Sequence, residues 1–193
     1  MSGKVAYVQA FTPRFRVERG ADGVERVVIP AQRNLFVMAF MMVWLCGWTV
    51  GGVTAISSLF VKFTPFIAFW SCGWALGEVF VLTSLVWMAA GKESLRVVRG
   101  DLEVAAEVAG FARRRLYRGA DVRDLLASGL VAADPFSRRW MDLPLIRQPS
   151  SGGVKFTYGA RTIYAGAGLD EPEGRLIVDW LKPRLPKSAI ASG

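Results

Sequence analysis

The sequence predicts a membrane α-helical hairpin joined to an α+β domain, and three observations point there. The first is where the apolar residues gather. Residues 35–61 are 27 positions without a charge, and residues 63–90 carry one, Glu78. Roughly 20 apolar residues cross a bilayer, so each stretch is long enough to cross with some tilt. The second is a repeated phrase. Residues 44–51 read W-L-C-G-W-T-V-G and residues 70–77 read W-S-C-G-W-A-L-G, holding both Cys and four of the seven Trp. The third is a change of period after Gly91. Short strand-like segments separated by turn residues are followed by one amphipathic segment, the pattern of a curled sheet covered by a helix.

Composition narrows the function classes. Of 193 residues 52% are hydrophobic, above the usual share for a soluble domain, and the net charge is +8. Six Lys/Arg against three Asp/Glu precede the first apolar stretch and 17 against 12 follow the second, while the connector carries only Lys62. Basic flanks stay in the cytoplasm, so both termini are expected there, with the tip at residues 62–65 on the far side. That basic face suits anionic lipid headgroups rather than nucleic acid. A cleaved secretory signal is not expected, because the apolar region starts too late and runs too long. The chain has no His. That removes Ser-His-Asp and Cys-His catalysis and His-ligated zinc or haem. Two Cys inside a membrane make no structural zinc site. Neither catalytic residues nor a metal is expected, and no cofactor of the chain's own.

Residues 1–33 form the first segment. Val5 to Val8 alternates, Phe15 and Val17 lie between charged residues, 20–23 is a turn signal, and Val24 to Ile29 follows. A β-hairpin is the plain reading, ended by Pro30, with Arg33 at the membrane surface. It joins either the sheet of the later domain or a partner.

Residues 34–91 form the helical hairpin, with helices at about 35–61 and 65–90. With the midpoint at Lys62, residue i lies level with residue 124 − i. Gly47 then meets Gly77 and Gly51 meets Gly73, two small-residue notches that let backbones approach where lipid supplies no hydrophobic drive. Thr54, Ser58 and Ser84 continue the same stripe, and Trp44, Trp48, Trp70 and Trp74 pack beside it or reach a partner. The Cys sulfurs are offset by about 9 Å along the axis, too far for a disulfide, and read as small apolar fillers. Glu78 is the exception. An ionisable group near mid-membrane is a functional candidate by default. It sits away from the glycine stripe, so it is expected to look out of the hairpin toward another subunit or a lipid, quinone or pigment. The plainer alternative is a protonated Glu bonded to a local carbonyl or hydroxyl.

Residues 92–186 form the second domain and 187–193 a tail. Ser94 to Val98 and Leu102 to Val108 are strands split by Gly100-Asp101. Strands at Phe111 to Tyr117, Val122 to Leu126, Gly153 to Tyr158 and Arg161 to Tyr164 bring the count to about six. The last element is a helix capped by Asp170, with Pro172 in its first turn and an apolar face of Leu176, Ile177, Trp180 and Leu181. Between them, 128–152 is a long loop mixing apolar Phe136 and Trp140 with Arg138 and Arg139. That mixture suits a partner or a membrane surface. Arg113, Arg114 and Arg115 suit anionic headgroups or a solvated strand face.

The chain resembles a family of uncharacterised bacterial membrane proteins that carry a W-x-x-G-W-x-x-G hairpin followed by a pleckstrin-homology-like domain. Three stretches carry the resemblance. They are the hairpin through W-S-C-G-W-A-L-G-E ending at Glu78, G-K-E-S-L-R-V at residues 91–97 with D-L-E-V-A-A-E-V-A-G-F after it, and F-T-Y-G-A-R-T-I-Y-A-G-A-G-L-D-E-P-E at residues 156–173. It implies a curled antiparallel sheet capped by a C-terminal helix, in the bacterial inner membrane, and carries no catalytic residues over. The first function expected is a non-enzymatic accessory subunit of a larger membrane complex. One concrete form is an energy-transducing assembly such as a photosynthetic reaction-centre and antenna complex. There a chain without His touches pigments rather than ligating their metals. The second is a module that senses lipid headgroups through Arg33, Arg113, Arg114, Arg115, Arg138 and Arg139.

Overall fold

The computed structural model describes residues 12–20, 22–129 and 152–189. The chain opens with an antiparallel pair, β1 (Arg16–Arg19) and β2 (Glu25–Pro30). It then runs into two long helices, α1 (Leu35–Val61) and α2 (Pro65–Ala90). Both are long and apolar enough to cross a membrane. Asn34 caps α1, its side chain accepting from the Val37 N–H at 3.1 Å. Pro65 opens α2, where its missing N–H costs nothing. Arg33 is exposed one residue before the Asn34 cap.

Only Gly91 separates α2 from β3 (Lys92–Val98). Strands β4 (Asp101–Val108) and β5 (Phe111–Tyr117) complete a five-stranded antiparallel sheet in the order β1-β2-β3-β4-β5. Its two later turns use paired left-handed residues, Arg99 and Gly100 (φ 53° and 85°) and Ala109 and Gly110 (φ 47° and 87°). That geometry matches the twist of a two-residue hairpin. A second sheet of β6 (Val122–Ala127), β7 (Val154–Tyr158) and β8 (Arg161–Ala165) packs with α3 (Glu171–Leu181). Eight strands are present among the described residues, the expected β-hairpin before the helices and six strands after them. Of the two alternatives left open for the first β-pair, the one present is that it joins the later domain's sheet, through β2 and β3, with Val27 opposite Leu95 and Pro30 opposite Lys92. One body therefore takes in residues from both sides of the helical hairpin, and both helices leave it from one end.

The core lies between the sheets and α3. Val27, Leu95, Leu102, Val122, Phe156, Ile177 and Leu181 are fully buried there. At about 25 cal/mol per Å2 of apolar surface, such side chains supply most of the domain's stability. The buried face of α3 is Glu173, Gly174, Ile177, Val178 and Leu181. Leu176, expected inside, is exposed, and Trp180 is only partly covered, with the Arg184 guanidinium 4.1 Å above its ring. Close backbone contact decides that rotation: a Cβ at Gly174 would stand 1.9 Å from the Gly153 carbonyl oxygen. Asp170 and Glu173 form a capping box at the start of α3. The buried Glu173 carboxylate also takes the Arg14 backbone N–H at 2.7 Å and its guanidinium at 2.8 Å. Burial alone raises the Glu173 pKa, but the bonds from Arg14 and Asp170 outweigh it and hold the group below the ordinary value.

Candidate functional site

Two places concentrate chemistry: the seam of the hairpin, and the junction where the hairpin enters the sheet. The shielded positions of α1 are Met38, Met41, Leu45, Trp48, Gly52, Ala55 and Leu59, with Gly51 beside them. Those of α2 include Ile67, Ser71, Trp74, Glu78, Val81, Leu85 and Met88. Steps of three and four are the spacing of a left-handed helix pair.

At the centre the repeated phrase works as a reciprocal lock. The Trp48 and Trp74 rings stack with centroids 4.3 Å apart. The Trp74 Nε1 donates to the Trp48 carbonyl at 3.0 Å, and the Trp48 Nε1 to the Trp74 carbonyl at 3.3 Å. Each ring also faces the last glycine of the other copy: a Cβ at Gly77 would stand 3.4 Å from Trp48, and one at Gly51 3.0 Å from Trp74. Tightest is Gly52, whose Cβ would reach 2.8 Å from the Trp74 Nε1.

This corrects the expected glycine-on-glycine seam. The levels of Gly51 and Gly77 are close to expectation, but both helices are rotated. Gly47 and Gly73 have open space where a side chain would stand. Thr54 and Ser58 are exposed and donate to carbonyls of their own helix at Val50 and Ala55. The cause is bulk and polarity together. An indole is too large to lie beside a glycine notch, and its N–H needs an acceptor that lipid does not offer. The ring enters the notch and uses the facing backbone. Cys46 and Cys72 are exposed rather than fillers. Trp44 and Trp70, the first Trp of each copy, are 40% and 52% exposed.

Glu78 is corrected as well. It belongs to the seam rather than looking outward, and its Oε1 lies 2.7 Å from the Thr49 Oγ1 on α1. Thr49 also lies 2.9 Å from the Leu45 carbonyl oxygen. The contact with a hydroxyl named in the plainer alternative is present.

At the junction the Ala31 N–H donates to the Gly91 carbonyl at 2.9 Å, continuing the β2–β3 ladder up to the helices. A cavity of about 310 Å3 opens beside it, lined by Pro30, Gln32, Trp87, Met88 and Glu93 among others. Glu93 is buried, and its Oε2 accepts from the N–H groups of Gly166 at 2.9 Å and Ala167 at 3.1 Å. Burial pushes its pKa up to about 6, against the lowering effect of those two bonds and the Arg115 charge. Glu93 was not among the residues the sequence singled out. The alternation Glu93, Leu95, Val97 was the available signal, since it puts a carboxylate on the core face.

The arginine run divides. Register places Arg113 opposite Ala106 and Arg115 opposite Val104, on the core face of the sheet, and Arg114 opposite Ala105 on the outer face. The three make no single patch. Phe136, Arg138, Arg139 and Trp140 lie outside the described residues. Among the described residues no cluster of three or more Cys, Asp or Glu is placed to hold a metal.

Fold and site together define a two-helix hairpin whose legs continue into a two-sheet domain with one packed helix. No family model matches the chain, and no curated protein or solved structure matches it.

Proposed function

We propose that the chain is a non-enzymatic accessory subunit of a larger bacterial inner-membrane assembly, with both termini cytoplasmic and the domain of pleckstrin-homology-like type. One observation carries the reading. Trp44 stacks on the Trp48 ring at 4.4 Å and still keeps 40% of its surface exposed nine residues into α1, about 14 Å along a helix axis. Among the described residues its indole N–H makes no hydrogen bond, unlike those of Trp48 and Trp74. Trp is at home at membrane interfaces; deep in a span its N–H needs a partner's carbonyl or hydroxyl. The exposed Trp70 ring on α2 adds a second aromatic surface, so other integral membrane subunits fit the hairpin's flank.

The linker-free junction supports the same role. A domain tied to its helices by ladder bonds holds a fixed place relative to whatever the hairpin docks against. Two antiparallel sheets and a C-terminal helix support the pleckstrin-homology-like reading, and the charge bias around the helices supports the orientation. An energy-transducing complex remains the narrower form of the proposal, with quinone or pigment held by the partners.

The test is a native gel of gently solubilised membranes. The chain should migrate with stoichiometric integral membrane polypeptides, and Trp44→Phe should weaken that association while leaving the hairpin intact. A chain that migrates alone in every mild detergent sinks the proposal.

A further inference from the structure

The outer face of the five-stranded sheet ends at the helices in a basic groove of about 510 Å3. Its charged walls are Arg26, Lys92 and Arg114, against one carboxylate, Glu107. Glu107 is shared, lying 3.1 Å from the Lys92 Nζ and 3.9 Å from an Arg26 nitrogen, while Glu18 beside the groove lies 3.5 Å from Arg26. The nearest acid to Arg114 is Glu103 at 3.9 Å, the outer limit of an ion pair. The Arg26 Nε is buried without a hydrogen-bond partner. Three cations against one carboxylate on its walls leave this groove with net positive charge.

Its position fixes the kind of ligand. Ala90, the last residue of α2, lines the groove, and Lys92 stands two residues beyond it. The turn Ala109-Gly110 forms another wall, and α2 touches β4 beside it. Phe111 follows that turn and is 76% exposed, but its register opposite Val108 puts its side chain on the other face of the sheet from Arg114. Cations at the end of an apolar helix match the membrane–water boundary, where they meet lipid phosphates.

We propose that this groove seats the phosphate of an anionic phospholipid from the leaflet on the domain's side. Lys92, Arg114 and Arg26 contribute the charge. The site rests on the membrane placement proposed above and goes beyond the accessory role, since it needs no protein partner. It also differs from the expected arginine cluster, because of that run only Arg114 takes part.

The experiment uses the full chain in nanodiscs of phosphatidylcholine with one part in four phosphatidylglycerol, with the lipids that stay bound after transfer to detergent counted by native mass spectrometry. Retention of phosphatidylglycerol over phosphatidylcholine is expected. Lys92→Gln with Arg114→Gln should lower it roughly tenfold or more. Glu107→Gln should raise it, a gain that misfolding does not produce. Equal retention of both lipids, or no change in either variant, overturns the proposal. Displacement by millimolar inorganic phosphate also overturns it, because the site would then read a free anion. Extraction of the chain from membranes by alkaline carbonate would instead show that the membrane placement itself fails.

Discussion

The hairpin seam and the domain core are built from similar apolar residues under opposite rules. In the core, Phe156, Leu95 and Leu102 are at 0% exposure, and leaving water holds them there. In the hairpin, Phe36, Phe60 and Phe69 are more than three-quarters exposed, and only Gly52 and Val81 count as buried. These helices are apolar and long enough to cross a membrane, and in lipid, which is as apolar as Leu, nothing would push them together by exclusion. What joins them is shape and polarity: two indoles in two glycine notches, two N–H bonds to facing carbonyls, and one Thr–Glu contact. The comparison teaches that hydrophobicity places the hairpin while a few polar atoms close it.

The largest effect expected is in the core. Phe156→Ala should cost the domain about 3–5 kcal/mol, measured as loss of hydrogen-exchange protection in β7 and β8. Its spread into α1 and α2 would break the comparison, and its confinement to the domain would sharpen it.

Next comes the seam. Gly52→Leu overpacks the Trp74 ring and should cost about 1–3 kcal/mol, whereas Gly47→Leu and Gly73→Leu project into open space and should change little. Spin labels on Cys46 and Cys72, both exposed, report the helix separation directly. A broadened distance distribution is expected for Gly52→Leu alone, and equal broadening in all three variants would restore the glycine-on-glycine seam.

Glu93 lies where the two rules meet. Its folded-state pKa is raised from 4.5 to about 6, so the native domain binds that proton more tightly than the unfolded chain does. The sign follows. This group's contribution is most favourable below about pH 4.5, and about 2 kcal/mol is lost as pH rises through 6. Glu93→Gln keeps an acceptor for Gly166 and Ala167 without the charge. Its stability should lack that downward slope between pH 4.5 and 6.5; melting curves that shift with pH just as in the unaltered chain would refute it.

The smallest effect is the Thr49–Glu78 contact. Thr49→Val should weaken the hairpin by about 1 kcal/mol or less, the usual worth of a polar pair between membrane helices. A small drop in the detergent-denaturation midpoint is expected; collapse of the hairpin would give this pair a far larger share than the indoles.

Much of the fold was legible because its signals are local. Uncharged length marks both helices, Gly100 and Gly159 mark hairpin turns, and Asp170 with Glu173 marks the start of α3. The level of one helix against the other was also legible, since a three-residue connector fixes it. Rotation was not. Gly47 and Gly51 have the same small side chain, and only the facing Trp74 decides that one is a notch and the other open space. Gly52 escaped notice because it falls just outside the repeated phrase.

By itself, then, the sequence determined the segments, their lengths and their order, because composition and turn residues act within a few positions of the chain. Tertiary structure alone decided which faces meet. Arg14 finds Glu173 across 159 residues, Glu93 finds the Gly166–Ala167 backbone across 73, and each indole finds a carbonyl on the other helix. Such bonds depend on where two distant backbones converge, and no local pattern records that distance.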